Sequence, residues 1–112
     1  MNNIISIIKD ELSQNVDENI RNGFHRFFKE DVKCYGVETA TVKKIAKKYY
    51  KEIEQKDKKE IFSLCEQLLK SDYCEDAFIA FDWAYRVRNE YEPDDFEMFE
   101  YWIETYVNNC AK

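Results

Sequence analysis

The sequence predicts an all-α fold of stacked antiparallel helical pairs, about six helices in a single domain spanning residues 1–112. Three observations predict it. Two glycines and one proline in 112 residues are too few turn formers for an all-β chain. A hydrophobic content of 45% beside 36% charged residues supplies a core and disfavours intrinsic disorder. Apolar residues then recur at three- and four-residue spacing in six stretches, most of them behind a recognisable helix-start signal.

The first stretch, Asn3 to Gln14, sets Ile4, Ile8 and Leu12 on one stripe. The second starts near Asp17 and carries Ile20, Phe24, Phe27 and Phe28. It is expected to end by Tyr35, because Gly36 supplies a left-handed termination that other residues resist. Thr39 or Thr41 is the expected cap of the third, which runs through Ile53. Asp57, three residues before Glu60, caps the fourth, with Ile61, Leu64, Cys65, Leu68 and Leu69 as its apolar side. Asp72 and Glu75 repeat that signal for the fifth, which passes through Phe78, Phe81 and Tyr85 to about Asn89. The sixth opens at Pro93, a first-turn position, with Asp94 and Asp95 at the positive end of the helix dipole, and contains Phe96, Phe99, Trp102, Ile103 and Tyr106.

Paired in order, these segments give units at about residues 3–34, 40–69 and 72–107, each on the order of 35 residues, the period of a helical-hairpin array. The last two segments are apolar nearly all round. Phe78, Phe81 and Tyr85 form one stripe of the fifth and Ile79, Trp83 and Val87 another, while Met98 and Trp102 lie off the side of the sixth that carries Phe96, Phe99 and Ile103. Such helices expect neighbours on more than one side, so self-association through an exposed aromatic surface, or continuation into a longer protein, is the expectation.

Charge is divided along the chain. The net charge is -6, yet residues 21–51 sum to +6 and residues 71–112 to -8. A polyanion therefore has one region to bind, the second quarter. Within it Lys43, Lys44, Lys47, Lys48 and Lys51 occupy nine residues. Wound at the α-helical period, the lysines all fall within less than half of the circumference, and Ile45, Ala46, Tyr49, Tyr50 and Ile53 fall within the part facing away from them. The segment is a helix with an apolar side and a lysine side. Five like-charge pairs at i,i+3 or i,i+4 cost about 1 to 2.5 kcal/mol together, and no acid within the stripe relieves them. A solvated face is the ordinary explanation of such a run; a surface that tracks phosphates is the alternative. Tyr49 and Tyr50 lie on the opposite side, so base stacking is not indicated.

Other chemistry is sparse. Cys34, Cys65, Cys74 and Cys110 are widely spaced, without a CxxC pair or a histidine at ligand spacing, and are expected to be reduced and mostly buried, with no metal. His25 has no ligand partner beside it, and Phe24, Phe27 and Phe28 share a helical side that points to core packing. Arg86 and Arg88 are expected to pair with Asp82, Glu90 or Glu92. No nucleophile elbow, glycine-rich phosphate loop, zinc-protease or calcium motif is present, so no catalytic residue and no cofactor are assigned. No apolar run has the length of a membrane span, and the first residues lack a signal peptide's basic flank and cleavage site; the expected location is cytoplasmic.

The run FFKEDVKCYGVETATVKKIAKKYYKEI, followed downstream by EYWIETYVNNCAK, resembles the DNA alkylation repair enzyme family, the AlkD-like DNA glycosylases built of HEAT-like repeats. The resemblance covers about residues 20–112 and rests on Phe27, Lys29, the Gly36–Val37 turn, Thr39, and Ile45, Ala46 and Lys47. Ala40 stands where proline is common, and Val42 and Lys43 where leucine and arginine often appear. The resemblance implies a HEAT-like α-α superhelix whose concave basic face holds double-stranded DNA. It also implies excision of N3- or N7-alkylated purines, with a carboxylate stabilising the oxocarbenium-like sugar as the base departs. Lys43, Lys44, Lys47, Lys48, Lys51 and Phe27 are the candidate DNA-binding residues. Phe27 keeps the ring but not the hydroxyl of a tyrosine found in some active members. Cys110 is a remnant of the family site, standing in a tryptophan's place, and the family's aspartate position falls past Lys112. The chain is expected to be the N-terminal part of a longer protein and to excise no base by itself. The alternative is a non-catalytic helical-repeat scaffold that binds protein partners or itself.

Overall fold

The computed structural model describes residues 3–27 and 34–107, with the backbone alone at 23–27 and 107. Six α-helices follow in order: α1 (Ile4–Gln14), α2 (Glu18–Phe27), α3 (Thr39–Ile53), α4 (Lys58–Leu69), α5 (Cys74–Arg86) and α6 (Pro93–Trp102). A short 3-10 turn at Arg88–Glu90 precedes α6, and a π-helical turn at Ile103–Val107 follows it. No strand occurs among the described residues, which makes the chain all-α. None of these helices is long and apolar enough to cross a membrane.

Local signals account for most helix starts. The Asn3 side chain accepts from the Ser6 N–H, Asp17 from the Asn19 N–H and Asp57 from the Glu60 N–H, each relieving a donor that the first turn leaves without a partner. At α6, Pro93 takes the first position, and Glu92 and Asp95 form a reciprocal capping box. Two starts differ from expectation. Neither Thr39 nor Thr41 caps α3: Thr39 is its first residue, and Glu38 precedes it without a side-chain cap bond. Asp72 does not cap α5, because it has φ +70° and ends the α4 turn instead, a left-handed role that aspartate tolerates better than most residues. Cys34–Glu38 is non-helical, so the second helix does not reach Tyr35.

Residue pairs along each helix fix the layering. Tyr73 precedes α5, which turns back on α4 and packs along it more extensively than on any other helix. The closest pair is therefore α4 with α5, out of phase with the units expected at 40–69 and 72–107. Helix α3 runs parallel to α5, since Trp83 Nε1 donates to the Ala46 carbonyl at 2.9 Å and Arg86 lies over the Tyr50 ring further along. Helix α6 runs parallel to α4: Lys58 meets Asp95, Phe62 meets Phe99, and Trp102 Nε1 donates to Glu66, in order from start to end. The described helices thus alternate between an α3/α5 layer and an α4/α6 layer, with α1 packed on α3 and α4.

The core between the layers holds Ile8, Leu12, Val42, Ile45, Ala46, Ile53, Ile61, Cys65, Leu68, Ile79, Trp83 and Trp102. On α5 the Ile79, Trp83 and Val87 stripe is buried, whereas Tyr85 is 61% exposed. The two apolar sides at α6 differ: Trp102 is fully buried against Phe62, Phe81 and Phe99, while Phe96 and, just beyond the helix, Ile103 are 61% and 56% exposed. The indole supplies more apolar area than the other candidates and its N–H finds an acceptor in Glu66, so the helix turns to bury it.

Two consecutive acids at the start of α5 are buried, and they differ. Glu75 accepts hydrogen bonds from the backbone N–H groups of Tyr35, Gly36 and Val37 at 3.0, 2.9 and 3.1 Å. Gly36 also accepts from the Asp17 N–H at 2.7 Å, so it joins the starts of α2 and α5. Its φ is +89°, and an added Cβ would collide with the Arg21 Cβ; only glycine fits. Asp76, by contrast, receives the Ser71 hydroxyl at Oδ2 and leaves Oδ1 without a partner among the described residues.

Burial pushes the Asp76 carboxyl up to about 6, and Glu75 adds to the rise, while the Ser71 hydroxyl and Lys9 oppose it. Between about pH 4, where an unfolded-chain aspartate titrates, and about pH 6 the native state holds the extra proton, so this group's contribution to stability falls as pH rises through that window. Asp76→Asn removes the dependence. Its urea midpoint, relative to the parent's, is expected to improve between pH 4.5 and pH 7; parallel curves would contradict the assignment.

Candidate nucleic-acid interface

The cationic surface begins with why α3 is a helix with two sides. Val42, Ile45, Ala46, Tyr49 and Ile53 are buried against α1, α4 and α5, leaving the rest of the circumference to polar residues. Lys43, Lys44, Lys47, Lys48 and Lys51 are all exposed on the outer side of the α3/α5 layer. The five sequence-predicted lysines are therefore brought together. The Phe27 side chain and Cys110 lie outside the described residues.

One of the five has a partner that linear spacing did not reveal. Lys48 Nζ lies 3.0 Å from Glu11 Oε1, and the Tyr49 hydroxyl donates to the same oxygen. Glu11 comes from α1, 37 residues away, so relief comes from an acid outside the stripe. The Tyr49 hydroxyl, and after it Lys48, hold the Glu11 carboxyl below the usual carboxylate range, and that same contact holds the Lys48 ammonium above its ordinary value. What could have hinted at Glu11 is Tyr49 itself: a tyrosine on a buried stripe needs an acceptor for its hydroxyl.

The neighbouring surface is mixed. Arg86 pairs with Asp82 at 2.8 Å, as expected, and lies over the Tyr50 ring; Arg88 stacks on Tyr85 and pairs with no acid among the described residues. A groove of about 610 Å³ between α4 and α6 is lined by Lys59, Glu66, Lys70, Asp94, Asp95 and Met98 among others. Its three acids outnumber its two lysines, so the groove is no cationic surface, whereas the α3 side is one. No cluster of metal-ligating side chains occurs among them.

Three of the five like-charge pairs on α3 include Lys47, namely those with Lys43, Lys44 and Lys51, and the other two include Lys48, which Glu11 already relieves. Lys47→Gln is therefore expected to stabilise the fold by about 0.6 to 1.5 kcal/mol at low ionic strength, the gain shrinking in molar salt. Chemical denaturation at two salt concentrations checks it; a loss of stability would show that Lys47 has an attractive partner.

Comparisons with curated proteins and with solved structures return no match. The model of the family described as DNA alkylation repair enzyme matches residues 8–112, which takes in α1 from Ile8 onward, α2 to α6 and the lysine side of α3. The chain belongs to the DNA alkylation repair enzyme family, and its role is related to DNA repair.

Proposed function

We propose that this chain binds duplex DNA through the outer side of α3, with its exposed lysines on the phosphate backbone, as the DNA-holding part of an alkylpurine-repair protein. One observation carries the reading: five lysines point to solvent from a helix whose other side is buried. Such a face neutralises phosphates and releases their counterions without reading sequence. The overall charge of -6 does not oppose it, because Asp94, Glu97, Glu100 and Glu104 are exposed on and just beyond α6, in the other layer. That separation orients the molecule, lysines toward the duplex.

Base excision needs a carboxylate that can reach the sugar as positive charge develops on it. Among the described residues the two buried carboxylates are inaccessible: Glu75 is occupied by three N–H groups, and Asp76 is fully buried. We therefore assign binding to these helices and no bond-breaking step. A second reading, a scaffold that captures protein or self-associates, is favoured by the exposed Phe96, Tyr101 and Ile103 at the end of the chain.

Fluorescence anisotropy with a 25-base-pair duplex separates the two. Binding is expected to weaken with salt along a log–log slope of about -3 to -4, the value for four contacts, and to be lost in Lys44→Glu/Lys47→Glu. No methylated base should be released. Salt-insensitive association that survives the double substitution would overturn the DNA reading in favour of the scaffold.

A further inference from the structure

We infer that Glu11 is a built-in competitor for phosphate: it occupies Lys48, so the surface meets DNA with Lys43, Lys44, Lys47 and Lys51, and Lys48 joins them only when the Glu11 charge is removed. The inference rests on the DNA-binding reading and specifies how that surface is limited.

The geometry is that of an occupied anion site. Glu11 Oε1 accepts from two donors on consecutive α3 residues, the Lys48 ammonium and the Tyr49 hydroxyl. The carboxylate is the better anchored partner, its side chain 25% exposed against 60% for Lys48, and Lys48 Nζ also lies 5.0 Å from the Tyr49 ring. A phosphate arriving at Lys48 meets a carboxylate already seated there, held in place by a tyrosine that does not leave with the lysine. Among the described residues none of the other four lysines has an acid at ion-pair distance. Lys48 is thus set apart from Lys44, its neighbour one turn away, by a contact and not by exposure.

Glu11→Gln removes the charge and keeps an amide oxygen for the Tyr49 hydroxyl, so α1 stays docked on α3. Glu52→Gln is the control, since Glu52 is exposed on the same helix with no lysine at ion-pair distance among the described residues. Duplex affinity is read by anisotropy from 50 to 200 mM salt. Glu11→Gln is expected to steepen the log–log slope by about one, so that its advantage over the parent grows about threefold from 200 to 50 mM, whereas Glu52→Gln keeps the parent slope. Lys48→Gln alone is expected to keep the parent slope too, and to abolish the effect of Glu11→Gln when combined with it. Equal slopes for Glu11→Gln and Glu52→Gln, or a Lys48→Gln slope shallower by one, would overturn the inference while leaving the DNA reading in place. A parent protein that binds no duplex at 50 mM salt would overturn both.

Discussion

The carboxylate of Glu75 is the constraint on which the rest of the arrangement depends. Three successive backbone donors, those of Tyr35, Gly36 and Val37, converge on it. Deleting the acceptor would orphan donors that are buried at Gly36 and Val37, at about 1 to 3 kcal/mol each. The bonds hold the segment before α3 against the first turn of α5. With their starts tied, the two helices run parallel, Ala46 meets Trp83, and the lysines are left facing solvent. Gly36 makes the convergence possible, because no other residue fits its conformation beside Arg21.

Opposed forces act on α3, and their sizes decide the outcome. Crowding five lysines on one side costs about 1 to 2.5 kcal/mol. Full burial of a side chain such as Ile45, Ile53 or Val42 contributes about 1.5 to 3 kcal/mol, so any one of them offsets most of that repulsion and together they exceed it. Glu11 relieves one member of the set from another helix. The surface therefore tolerates its charge without needing a ligand to fold, and a polyanion that arrives relieves repulsion already present.

What was legible in the sequence is what short-range physics decides. The Ile8 and Leu12 stripe, the Asp57 cap, the Pro93 start and the two-sided character of α3 depend on residues three or four apart, and all are found. Illegible were the features set by long-range partners. Glu75 reads locally as a helix-start acid, and its partners are about 40 residues back; its place on the Ile79 and Trp83 stripe was the available signal. Glu11 carried no signal of its own, and the hint lay in Tyr49, whose hydroxyl needed an acceptor. The phase of the helix pairs was missed because spacing cannot tell which neighbour a helix packs on more closely. Counting positions on α6 gives two apolar sides without saying which faces in; the size of Trp102 and its bond to Glu66 decide that.

The central claim is that one side of one helix meets the polyanion. Amine acylation of the whole chain with and without duplex DNA at 50 mM salt, read lysine by lysine by mass spectrometry, tests it most directly. Protection concentrated on Lys43, Lys44, Lys47 and Lys51 is the predicted result. Protection of Lys56, Lys59 or Lys70 on the α4 side, with the α3 amines still reactive, would contradict it.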